Sequence, residues 1–123
     1  MEKEISELIG KTITEINGME KNGNSITFRT SDGCLYQMDH YQNCCESVTI
    51  DDICGNIEDL IGSPILEAEE RTSEGESEYG TFTWTFYHFV TDKGYLDLKW
   101  FGESNGYYSE SVDFHKVDNK EYS

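Results

Sequence analysis

Thr81-Phe82-Thr83-Trp84-Thr85-Phe86-Tyr87-His88-Phe89-Val90 is the stretch on which the fold turns. It is an almost unbroken run of β-branched and aromatic residues, with no helical period. It reads as a strand. Side chains alternate across a strand, so Phe82, Trp84, Phe86 and His88 share one face and Thr83, Thr85, Tyr87 and Phe89 the other. The Phe82/Trp84/Phe86 face is assigned to the core, because large aromatic rings are the strongest drivers of burial. Asp92-Lys93-Gly94 is a hairpin turn, and Tyr95 to Phe101 is the returning strand.

Working outward, further strands are expected at Thr12–Met19, Ser25–Arg29, Leu35–Asp39, Val48–Ile53, Ile65–Glu70 and Ser111–Val117, with Ser31-Asp32-Gly33 as a turn. Residues 72–80 read as a polar loop. Ile5, Leu8 and Ile9 fall at i, i+3 and i+4, which predicts a short amphipathic helix over Glu2–Ile9 ended by Gly10. Ile57–Ile61 reads as one or two helical turns between an Asn56 N-cap and Gly62. The expected fold class is therefore α+β, a mainly antiparallel β-sheet with a short N-terminal helix and one small internal helix. It forms one domain over residues 1–117, with a flexible tail over 118–123.

The chain has 123 residues, 9 Lys plus Arg, 25 Asp plus Glu and a formal net charge of −16. Such a surface repels nucleic acid and anionic membranes, and its natural partners are basic proteins or cations. Acidity alone would suggest disorder. Aromatic residues at 13% of the chain supply enough apolar volume for a packed core. Neither a signal peptide nor an apolar run of membrane-spanning length is visible in the sequence, so a cytoplasmic protein is expected. Its four cysteines are then reduced thiols or metal ligands.

His40, Cys44, Cys45 and Cys54 lie within fifteen residues, with Cys34 just upstream. One imidazole and three thiolates can make a closed tetrahedral zinc shell, and soft sulfur favours zinc over magnesium or calcium. Adjacent cysteines reach one metal only if the backbone turns sharply between them. Three alternatives stay open: buried thiols acting as small core hydrophobes, a Cys45–Cys54 disulfide, and a nucleophilic cysteine with His40 or His88 as base. The last has no basic neighbour to lower a thiol pKa, and no catalytic set is assembled elsewhere. A non-enzyme is expected.

Carboxylates crowd the stretch Glu67, Glu69, Glu70, Glu74, Glu76 and Glu78, and Asp51-Asp52 and Glu58-Asp59 add two pairs. Alternate residues of an extended strand repeat at roughly 6.6 Å, close to the phosphate repeat of a nucleic-acid strand. Such a row can occupy a protein channel built for phosphates, as well as serving simply as a solvated surface. Gly102 to Ser109 is a Gly/Asn-rich loop with Tyr107 and Tyr108. Paired tyrosines there suit either a recognition surface or packing on the sheet.

The segments Glu7–Ile13, His40–Gly55, Asp59–Leu66, Phe82–Tyr87 and Trp100–Phe114 together resemble a family of small acidic phage and prophage proteins. That family is a source of anti-CRISPR proteins, inhibitors of type II effectors that include a metalloprotein. The resemblance implies a phage-encoded inhibitor that binds a Cas9 effector through an acidic surface and blocks its nucleic-acid loading. It also implies a structural zinc on His40, Cys44, Cys45 and Cys54. Asn43 departs from an expected Asp beside that set. The alternative function is a small-molecule sponge for an immune nucleotide signal, which an anionic ligand and only two arginines, Arg29 and Arg71, disfavour.

Overall fold

The computed structural model describes residues 5–40, 46–78, 80–106 and 110–117. Among the described residues eight strands form two antiparallel four-stranded sheets. The first sheet holds β1 (Ile13–Asn17), β2 (Ser25–Thr30), β3 (Leu35–Asp39) and β8 (Asp113–Val117), in that order. The second runs in the order β4 (Ser47–Gly55), β7 (Gly94–Ser104), β6 (Gly80–Thr91) and β5 (Glu67–Ser77). One apolar core joins the sheets. Ile26, Phe28, Met38 and Phe114 enter from the first, and Ile50, Phe89, Leu98 and Trp100 from the second. The Phe28 and Phe89 rings meet across it at 6.3 Å.

The α+β expectation is corrected to an essentially all-β fold, because the described residues contain no α-helix, only two 3-10 turns, Ile5–Leu8 and Ile57–Leu60. In a 3-10 turn residues three apart eclipse, which places Ile5 and Leu8 together in the core. Ile9 does not complete a helical stripe. It is 47% exposed and bridges to Ile65, while the Gly10 amide donates to the Ile65 carbonyl at 2.8 Å. Strand pairing captures the chain before a second helical turn forms. The 57–60 turn keeps its expected Asn56 cap, whose side chain accepts from the Glu58 amide at 3.0 Å.

Two further corrections concern the second sheet. Residues 72–77, expected as loop, are the second half of β5, which pairs with β6 without interruption from Glu67↔Val90 to Ser77↔Gly80. The strand is an edge, so its carboxylates face water on both sides, and a charged edge resists pairing with other chains. The faces of β6 are also the reverse of the expectation. Thr85, Tyr87, Phe89 and Thr91 are buried, whereas Phe82, Trp84, Phe86 and His88 look outward, with Phe86 38% exposed.

Candidate functional site: an acidic groove beyond the edge of the smaller sheet

Strand length creates the site. The first sheet is built from strands of 5 or 6 residues, but β5, β6 and β7 have 11 or 12. At about 3.4 Å per residue the longer strands reach roughly 37–41 Å, about twice the span of the shorter ones. Their far ends overhang. The inner face of β6 changes character along its length to match, from Phe89 and Tyr87 against the core to Thr85, Thr83 and Thr81 beyond it.

The topology then lays a segment across the overhang. Because β3 pairs with β8 and β4 with β7, the β3–β4 and β7–β8 connections cross between the sheets side by side. His40 of the first connection bonds the Ser111 carbonyl of the second at 2.7 Å through Nδ1, and the Glu46 carboxylate at 2.9 Å through Nε2. Gly102 lets the second connection lie flat on β7. A Cβ there would stand 2.8 Å from the Glu110 carbonyl oxygen and 3.0 Å from Val48.

Glu110 is thereby held inside, 8% exposed. Its carboxylate accepts from the Ser104 hydroxyl at 2.5 Å, from Thr81 at 2.6 Å and from Thr83 at 2.9 Å. Burial pushes its pKa up, but the donors Ser104, Thr81 and Thr83 together outweigh burial and hold it below the ordinary glutamate value. The group is an ionised carboxylate fixed by neutral hydroxyls. Around it opens a groove of about 650 Å³, lined by Glu70, Thr72, Glu74 and Glu76 of β5, by Thr81, Thr83 and Thr85 of β6, and by residues 110–113. No lysine or arginine is among these lining residues. At the adjoining end of β3, burial pushes the Asp39 carboxyl up, and Asp113 adds to this against His115 and His40. The buried Glu110, the half-buried Asp113 and the exposed Glu70, Glu74 and Glu76 line one concave surface and give it a negative potential suited to a cation.

The structure divides the carboxylates named from sequence. Glu70, Glu74 and Glu76 turn inward to the groove, while Glu67 and Glu69 lie on the opposite face of β5 and Glu78 sits in the β5–β6 turn. Asp51 is the extra residue of a bulge in β4 and lies 3.6 Å from the Lys99 ammonium, and the next residue, Asp52, accepts from the Ile53 amide at 3.0 Å. Glu58 and Asp59 belong to the second 3-10 turn, where the Asp59 carbonyl accepts from Thr91 at 2.5 Å. Tyr107 and Tyr108 lie outside the described residues, as do Cys44, Cys45 and the tail from 118.

The zinc set is not brought together as one shell. The His40 side chain is 4% exposed, and both of its ring nitrogens are engaged, one by Glu46 beside the start of β4. Cys54 is exposed near the far end of that strand. Seven residue steps of strand lead from Ser47 to Cys54, roughly 20 Å or more. His40 and Cys54 therefore cannot ligate the same ion. Among the described residues no group of three or more His, Cys, Asp or Glu is placed to hold a metal.

Glu110, Asp113 and the three threonines were missed from sequence. The available signal was Thr81-x-Thr83-x-Thr85, three hydroxyls on one face of an otherwise aromatic strand.

These features define a small all-β domain with an acidic groove at the sheet-to-sheet crossovers. The chain belongs to the family described as a domain of unknown function (DUF7448), whose family model matches residues 6–114. No curated protein and no solved structure matches it. No helix among the described residues is long and apolar enough to cross a membrane.

Proposed function

We propose that the protein is a non-catalytic binding module that receives lysine or arginine side chains of a basic protein partner in the groove between β5 and the 110–113 segment. One observation carries this reading. Glu70, Glu74, Glu76, Glu110 and Asp113 converge on a single concavity with no lysine or arginine in its lining. A nucleotide sponge would need the opposite charge.

The narrower form of the proposal is inhibition of a Cas9 effector. Such proteins carry long basic channels for RNA and DNA, so the sign of the field suits them, and an occupied channel cannot load nucleic acid. The sequence resemblance supports that choice of target. Zinc on His40, Cys44, Cys45 and Cys54 has no part in the proposal.

The test is binding to a Cas9 effector, with DNA cleavage as the second readout, for the parent and for E70Q/E74Q/E76Q/D113N. Exposed charge pairs contribute only about 0–1 kcal/mol each, so single changes should do little. The quadruple variant should bind at least tenfold more weakly, mainly through a slower on-rate. Raising salt from about 0.05 to 0.5 M should imitate it. Tight binding that survives both treatments would refute the groove reading. No binding by the parent would refute the choice of target.

A further inference from the structure

An edge strand offers a row of unpaired backbone N–H and C=O groups, and folds protect such edges by shortening them, bulging them, or placing proline or charge there. The described residues hold four edges, β1 and β8 of the first sheet and β4 and β5 of the second. β1 and β8 have five residues each, and β1 also slips register between Ile13 and Glu15. β4 is bulged at Asp51. β5 is neither short nor bulged. It keeps one register with β6 over eleven residues, and the single proline, Pro64, lies outside it. Among the described residues no backbone hydrogen bond of 70–76 leaves the β5–β6 ladder, and all of these residues except Gly75 are exposed.

What protects β5 is charge, and that charge has one sign. The strand carries five glutamates, one arginine and no lysine. It turns away an acidic strand, another copy of this −16 chain included, but draws in a basic one. The charge is also sided. Pairing with β6 puts Glu70, Thr72, Glu74 and Glu76 on the groove face, opposite Tyr87, Thr85, Thr83 and Thr81. The other face presents Arg71, 3.7 Å from Glu69, and then Ser73 and Gly75. Beyond β5 no described element lines the groove.

We propose that the basic segment of the partner docks as an added strand on the free edge of β5, with lysine or arginine at alternate positions turned toward the groove. This rests on the groove as the seat of those cations and adds the form of the segment that brings them. Residues directly opposite on paired strands share a face, with Cβ atoms about 5 Å apart. Alternate cations therefore meet Glu70, Glu74 and Glu76, while the residues between them lie beside Ser73 and Gly75 and need carry no charge. Seven residues of strand span about 24 Å. Over that length main-chain hydrogen bonds supply affinity, and the alternating charge supplies specificity.

The test uses the full chain and two end-blocked heptapeptides of one composition, Lys-Thr-Lys-Thr-Lys-Thr-Lys and Thr-Lys-Lys-Thr-Lys-Lys-Thr. As strands, the first puts all its lysines on one face and the second divides them equally between two. In calorimetric titration at about 0.05 M salt the first should bind at least tenfold more tightly. Amide hydrogen exchange in 70–76 should slow at least tenfold when it is bound. E70Q/E74Q/E76Q should lose both effects. Equal affinity for the two peptides, or binding that leaves exchange in 70–76 unchanged, would overturn strand addition. If that binding is still weakened in E70Q/E74Q/E76Q, the groove keeps its role as a receptor for cations. Binding of neither peptide would overturn strand addition and the groove's affinity for lysine together.

Discussion

Replacing Glu110 with glutamine probes the floor of the groove with almost no change of shape. The carboxylate accepts three hydroxyl hydrogen bonds, at 2.5, 2.6 and 2.9 Å. Charge-assisted bonds are about twice as strong as neutral ones. Glutamine keeps an acceptor oxygen but loses the charge, at a cost of about 0.5–1 kcal/mol per bond. Regained desolvation energy offsets part of that, leaving a net loss of about 1–2 kcal/mol. Glu110→Ala removes the acceptor altogether and should cost about 2–4 kcal/mol. The sign follows from the pKa, which is lowered from 4.5 in the folded state, so folding favours the ionised form. The contribution is fully present above the unfolded value of 4.5 and is lost as pH falls through the lower folded value. Urea unfolding of parent and Glu110→Gln should therefore show a gap at pH 7 that closes below pH 4.5. A variant as stable as the parent at pH 7 would refute the reasoning. So would a gap unchanged well below pH 4.5, since Glu110 would then not be the titrating group.

Three other perturbations have definite outcomes. His40→Ala removes the ring that joins the two crossovers and leaves the buried Glu46 carboxyl without its His40 partner. Breaking such a buried pair costs about 3–5 kcal/mol, which calorimetry would register as a melting temperature lower by more than 10 °C. Gly102→Ala should destabilise by more than an ordinary surface change, because its Cβ meets the Glu110 backbone oxygen at 2.8 Å. In a double-mutant cycle with Glu110→Gln the two losses should fall short of additivity, since both loosen the same segment. Cys54→Ser should leave the unfolding free energy within about 0.5 kcal/mol of the parent, as for other surface changes. It should also leave metal content by elemental analysis unchanged, and a loss of bound zinc in that variant would restore the four-ligand shell.

The local pattern made most strands legible, and Leu35–Asp39 agrees at both ends. Period two was plain in Thr81–Val90, but alternation only separates two faces and does not say which one a second sheet will cover. Phe82, Trp84 and Phe86 outweigh Thr81, Thr83 and Thr85 in apolar area, so composition alone favours the side that in fact faces outward. The choice is made by distant residues. Phe28 on β2 packs against Phe89, whereas Thr83 lines the groove. The same limit hid Glu110. It is one carboxylate among 25 acidic residues until the topology sets β8 beside β3 and β7 beside β4, which carries residue 110 across the threonines of β6. Residues 72–77 were hidden for a different reason. A strand paired on one edge and wet on both faces has no buried row to impose alternation, so its composition is that of a loop. The three residues that make the groove acidic from β5, Glu70, Glu74 and Glu76, are on one side of that strand only because an uninterrupted register with β6 holds them there. The groove is thus a product of unequal strand lengths. Shortening the β5–β6 hairpin would remove it, while the core built on Phe28, Phe89 and Trp100 would remain.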